Sequence, residues 1–178
     1  LVVYNRQPEQ PFVDVFSDSD WAGCTKTRRS TSSSYVMLGG HLLVSSATTQ
    51  NVVATSSGEA EFYALAKSAS RALGAVAMAA DMAKVVKPRI CVDATASKAI
   101  ASRRGVGRVR HLHTQVLWVQ EAVARRELTI AKVPGVENPA DMGTKHLAQK
   151  EMHECLRRAG CHITGGRSKM AFRAAQGT

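Results

Sequence analysis

The segment Pro11-Phe-Val-Asp-Val-Phe-Ser-Asp-Ser-Asp-Trp-Ala-Gly23 carries the signal that decides the fold. β-Branched and aromatic residues open it, and Ser-Asp-Ser-Asp followed by glycine breaks it, the pattern of a strand that runs into a loop. Asp18 ends that strand. With a period of two it shares a face with Phe12, Asp14 and Phe16, a partly apolar surface on which an unpaired charge is costly unless a cation lies beside it. An aspartate that only forms the turn fits the same pattern. Asp20 has the same parity but belongs to the loop.

Three more carboxylates stand at comparable places. Ser56 and Glu59 form a capping box, and Phe62, Leu65, Ala69, Ala72, Leu73, Val76 and Ala80 follow at helical spacing, which predicts a long helix over 57–84, bent near Gly74. Glu59 is the capping partner; Glu61 lies in the first turns beside Phe62 and Leu65, where complementing the helix dipole is its alternative role. Asp93 closes the short strand Arg89-Ile-Cys-Val-Asp93 ahead of a helical stretch. Ligands of open α/β sheets gather at such strand ends, and an ordinary N-cap reads the same way. Asp141 follows the strand Leu128–Val133 and the turn Pro134-Gly135, and it begins a further helix, again with capping as the alternative. Two strand ends and two helix starts together read as one metal site. Hard oxygen donors, with no Cys and His set at zinc spacing, suit Mg²⁺ or Mn²⁺.

The predicted order is strands over 12–17, 34–38 and 41–46, the helix over 57–84, a strand over 89–92, helices over 95–102 and 112–126, a strand over 128–133 and a helix over 139–158. Three antiparallel strands followed by alternating helices and strands predict an α/β fold, a five-stranded mixed sheet with helices on its faces. Trp118, among Leu112, Val116, Val119 and Val123, reads as core. The four cysteines, Cys24, Cys91, Cys155 and Cys161, show no CxxC spacing and read as reduced thiols; His153, Cys155, Cys161 and His162 fit no common zinc pattern. No apolar run is long enough for a membrane span, so no membrane partner is expected.

Lys and Arg number 24 against 14 Asp and Glu, a formal net charge of +10 with a pI of 9.9. Such an excess matches a phosphate backbone as substrate. It is clustered at Arg28 and Arg29, after the first strand, and at Lys98, Arg103, Arg104, Arg108 and Arg110, in or beside a Gly-containing loop after Asp93.

Several blocks in one order carry a resemblance: Phe16-Ser-Asp-Ser-Asp-Trp-Ala-Gly-Cys24, Thr27-Arg-Arg-Ser-Thr-Ser32, Leu38-Gly-Gly40, Ser56-Ser-Gly-Glu-Ala-Glu-Phe-Tyr-Ala-Leu-Ala66, Val92-Asp-Ala-Thr-Ala-Ser-Lys-Ala-Ile100, Arg108-Val-Arg-His-Leu-His113 and Val133-Pro-Gly-Val-Glu-Asn-Pro-Ala-Asp-Met-Gly-Thr-Lys-His-Leu147. Over roughly residues 12–160 the chain resembles the ribonuclease H domain of copia-type LTR retrotransposon Pol polyproteins. The resemblance implies the ribonuclease H-like fold and cleavage of the RNA strand of an RNA–DNA hybrid during reverse transcription. It implies two Mg²⁺ ions, with Mn²⁺ as substitute, held by the catalytic residues Asp18, Glu61, Asp93 and Asp141. Asp18 would bridge the two ions, with Glu61 and Asp93 on one side and Asp141 on the other. Arg28, Arg29, Ser30, Lys98, Arg104, Arg108 and Arg110 would contact the hybrid. It further implies that residues 1–10 link to an upstream reverse transcriptase, that 11–160 form the domain, and that the protein works inside the cell in a cytoplasmic virus-like particle; residues 161–178, rich in Gly, Arg, Ala and Ser, read from their composition as a poorly ordered basic tail.

Three departures from the family pattern stand out. Ser33 replaces a usual glycine, the Leu42-Leu-Val-Ser-Ser-Ala47 stretch lacks a usual tryptophan, and the loop before Asp141 has no histidine of the cellular enzymes, leaving Glu137 as a weak candidate for its role. Two other readings share the fold: a decayed or co-opted hybrid-binding module, and another nuclease or polynucleotidyl transferase such as an integrase or resolvase.

Overall fold

The computed structural model describes residues 4–93 and 117–162. Strands β1 (Phe12–Ser19), β2 (Thr31–Leu38), β3 (His41–Thr49), β4 (Lys87–Val92) and β5 (Thr129–Lys132) form one sheet in the order β3-β2-β1-β4-β5. The first three pair antiparallel; β4 lies parallel to β1, and β5 parallel to β4. This is the expected mixed five-stranded sheet. Helix α1 (Ser57–Asp81) links edge strand β3 to β4, α2 (Trp118–Ala124) precedes β5, and α3 (Gln149–Arg158) ends the described chain.

Alternation along β1 sorts its residues. Val13 and Val15 enter the core with Val36, Phe62, Leu65, Ala69, Ile90, Val92, Val119 and Leu128, while Phe12, Asp14 and Phe16 take the other face. There Arg89, opposite Asp14 in the parallel register, lies 4.3 Å over the Phe12 ring and donates from Nη2 to Asp14 Oδ2 at 2.8 Å. Asp14 is thereby neutralised within the sheet. Trp118 packs against the core, as its neighbours imply.

Several boundaries differ from expectation. β2 starts at Thr31 rather than 34, because Ser32, Ser33 and Ser34 pair with Ser19, Asp18 and Ser17; a backbone ladder needs no β-branched side chains. β3 likewise continues to Thr49. α1 runs unbroken through Gly74 and stops at Asp81, where Ala83 turns left-handed (φ 56°) and the Lys84 N–H closes on the Ala79 carbonyl at 2.8 Å. The helix expected over 139–158 is two pieces: a 3₁₀ turn Pro139–Gly143 and then α3. At the break the Thr144 and Lys145 N–H groups both close on the Asp141 carbonyl, at 3.2 and 2.9 Å, and Gly143 lies so tight on β2 that a β-carbon there would stand 2.3 Å from Ser33 Oγ. The helix expected over 95–102 lies outside the described residues, as do the first residues of that expected over 112–126.

The ends also carry contacts. Within the expected linker, Tyr4 Oη donates to the Leu42 carbonyl and Gln7 Nε2 to that of Leu38, both at 2.7 Å, so residues 4–10 run beside the β2–β3 hairpin. Cys161, expected in a loose tail, donates its N–H to the Leu156 carbonyl at 2.8 Å; residues 163–178 lie outside the described part.

Candidate metal centre

Parallel pairing of β1 with β4 sets Ser17 opposite Val92, so the next residues in each strand, Asp18 and Asp93, emerge side by side at one sheet edge. Asp141 arrives from far along the chain, on the 3₁₀ turn. Asn138 pins that turn: its Nδ2 donates to the Ser17 carbonyl and its Oδ1 accepts the Ala140 N–H, both at 3.1 Å, in a site 1% exposed. One carboxylate oxygen from each of Asp18, Asp93 and Asp141 then lies within 4.8 Å of the others. Asp18 is buried and the other two are half-buried. Gly135 makes room for Asp93, whose Oδ2 lies 3.2 Å from where a β-carbon would stand.

Three carboxylates this close repel unless protons or cations intervene. Burial, with lesser repulsion from Asp141 and Asp93, pushes the Asp18 carboxyl up to about 6 despite the Thr144 hydroxyl and the Lys145 ammonium, which pull it down. Glu61, half-buried in α1, is outside the three-oxygen group but close to it. Burial first, and then the charges of Asp18 and Asp93, raise it to about 8. The donor set is all hard oxygen and anionic, so Asp18, Asp93 and Asp141 can together hold a metal ion. Among the described residues no other His, Cys, Asp or Glu group converges in this way, and His153, Cys155, Cys161 and His162 do not.

Neighbouring acids that parity and spacing left open have other work. Asp20 Oδ1 accepts the Thr31 N–H, and its carboxylate lies where a β-carbon on Gly23 would fall, closing the loop after β1. Glu59 is buried; its Oε2 accepts from Thr55 N–H at 2.7 Å and Thr55 Oγ1 at 2.6 Å, while its own N–H donates to Ser56 Oγ at 3.2 Å. It caps α1 as expected, reaching one residue beyond Ser56. Of the residues expected to contact substrate, Arg28 and Arg29 are exposed. Ser30 is different: it is fully buried, and its Oγ accepts the Ala22 N–H at 3.0 Å, so it braces the loop and offers no surface. Lys98, Arg104, Arg108 and Arg110 lie outside the described residues. Glu137 is exposed on its own 3₁₀ turn, Gly135–Glu137.

Three contributors escaped the sequence reading. Lys145 Nζ lies 2.8 Å from Asp141 Oδ1 and 3.7 Å from Asp18 Oδ2, and the Thr144 hydroxyl donates to Asp18 Oδ2. The spacing of four between Asp141 and Lys145 was a readable signal. So was Asn138 before Pro139, a cap followed by proline at the first position.

The LC11-RNase H1 isolated from compost by a metagenomic approach superposes with a TM-score of 0.51, at 14% identity, over 75% of this chain and 92% of that one. Its structure in complex with an RNA/DNA hybrid aligns at TM-score 0.49 and 18% identity, over 73% and 91%. In sequence, the Retrovirus-related Pol polyprotein from transposon TNT 1-94 of Nicotiana tabacum is 24% identical over 154 residues, 85% of this chain. The chain has a ribonuclease H-like fold. A stretch of 58 residues, 33% of this domain, is also 50% identical to the Uncharacterized mitochondrial protein AtMg00810 of Arabidopsis thaliana. The ribonuclease H-like domain spans 12% of the length of the Pol polyprotein and 24% of the mitochondrial protein. No family model matches it. Among the described residues no helix is long and apolar enough to cross a membrane.

Proposed function

We propose that this domain is an endonuclease that hydrolyses the RNA strand of RNA–DNA hybrids in copia-type reverse transcription. The observation that supports it is the convergence of Asp18, Asp93 and Asp141, from three distant segments, on one point beside Glu61. A fold gains no stability by crowding one buried and two half-buried carboxylates, so a cation accounts for their assembly. Asp18, Glu61, Asp93 and Asp141 would hold two Mg²⁺ or Mn²⁺ ions. Bound there, such ions supply Lewis-acid activation of water and charge stabilisation at the scissile phosphate. Asn138 and Thr144 keep the carboxylates oriented. Arg28 and Arg29, with Lys98, Arg104, Arg108 and Arg110, would bind backbone phosphates, while contact with 2′-hydroxyls selects the RNA strand. Residues 11–160 would be the domain, acting beside an upstream reverse transcriptase in an intracellular particle.

The test is cleavage of a labelled hybrid in Mg²⁺ or Mn²⁺, wild type beside Asp18→Asn, with double-stranded DNA and RNA as controls. Metal-dependent cutting of the hybrid's RNA strand alone, lost in Asp18→Asn, is expected. A folded wild-type protein that binds hybrid and cuts nothing overturns the nuclease in favour of a non-catalytic hybrid-binding module.

A further inference from the structure

One cation already sits among the carboxylates. Lys145 Nζ contacts oxygens of Asp141 and Asp18, two of the three converging side chains, at 2.8 Å and 3.7 Å. Asp93 and Glu61 lie within reach of its charge, and the Thr144 hydroxyl donates to Asp18. An ordinary i,i+4 pair on a helix surface joins two exposed groups of one segment. This one ties the last carboxylate to the first, across the chain.

A divalent ion and an ammonium compete for the negative charge of these carboxylates. A divalent ion held by these carboxylates would stand within a few ångström of the ammonium, and the two cations repel. The lysine can leave, because its stem is flexible and its side chain is 44% exposed. We propose that Lys145 is a tethered counter-ion that occupies the carboxylate cluster of the metal-free protein and is expelled when a divalent cation binds. This rests on the metal-centre reading above. Metal affinity is then set below what the carboxylates alone would give, and loading the site frees one cationic side chain at its rim.

The probe is Mn²⁺ titrated calorimetrically into hybrid-free protein. Lys145→Met is expected to bind Mn²⁺ several-fold to about tenfold more tightly than wild type, the equivalent of one half-exposed ion pair no longer to be broken. Lys145→Arg, which keeps a cation in reach, stays near wild type. Lys26→Met, which removes an exposed charge elsewhere, changes nothing. On the wild-type protein itself, the Lys145 amine should become several-fold more reactive towards an acetylating reagent, read by mass spectrometry, once Mn²⁺ saturates. Equal affinities in wild type and Lys145→Met, or a Lys145 reactivity indifferent to Mn²⁺, overturns the inference. Absence of Mn²⁺ binding overturns both this inference and the metal centre. Binding with the expected release, but no hybrid cleavage, supports this inference and overturns the nuclease alone.

Discussion

Asn138→Ala should cost about 2–6 kcal/mol of stability and weaken metal binding together. The side chain serves two buried backbone groups, the Ser17 carbonyl and the Ala140 N–H, each at 3.1 Å. Alanine removes both partners at a position 1% exposed, where water cannot replace them without opening the turn. Each orphaned group costs about 1–3 kcal/mol, against about 5–15 kcal/mol for a whole domain. The loss reaches the site because Asp141 stands on the turn that Asn138 fastens to β1. Urea unfolding followed by circular dichroism, with and without Mn²⁺, measures both effects. Asn138→Asp sharpens the reasoning: it keeps an acceptor for Ala140 but sets a buried charge against the Ser17 carbonyl, so its loss at neutral pH should equal or exceed that of alanine and shrink on acidification. An alanine variant within about 1 kcal/mol of wild type, with unchanged Mn²⁺ affinity, would refute the view that this side chain places Asp141.

Two further outcomes are expected. Asp18 and Glu61, raised to about 6 and about 8, keep protons in the folded state that the unfolded chain releases near the ordinary values of 3.8 and 4.5. The folded protein binds more protons across that interval, so the metal-free domain should lose stability as pH rises from about 4 to 8, and saturating Mg²⁺ should flatten the decline; thermal unfolding that improves over the same range contradicts it. Gly143→Ala would place a β-carbon 2.3 Å from Ser33 Oγ, 2.8 Å from Ser33 Cβ and 3.2 Å from Ala47 Cβ, an overpacking of about 1–3 kcal/mol. Adding Ser33→Gly removes two of those three atoms and should recover most of the loss in a double-mutant cycle; strictly additive effects would show that the two residues do not press on each other.

The strands and the start of α1 were legible because their signals are local. Phe12 to Phe16 alternate, and Ser56 with Glu59 marks a helix start whatever the rest of the chain does. The serine run of β2 was not legible. Ser32 and Ser33 have no strand preference of their own, and they extend only because β1 and β3 offer ladders on both sides. The helix at 139–158 failed for a related reason: its composition is helical, but its break falls where Gly143 meets Ser33, more than a hundred residues earlier, and contact between distant segments has no local signature. Ser30 shows the same limit, since a serine beside two arginines reads as a surface residue until the loop folds it inward onto Ala22.

By itself the sequence determined the α/β order, the capping duty of Glu59 and the four acids worth considering, since each rests on residues within a few positions of one another. Parity could not separate Asp18 from Asp20, and no spacing could bring Asp141 to Asp18. Tertiary structure decided both. The parallel register of β1 and β4 sets Asp18 beside Asp93, the Thr31 N–H occupies Asp20, and Asn138 carries Asp141 across to Ser17, with Lys145 following into the cluster. Charges at a site interact through space, and the chain alone does not state which distances folding will close.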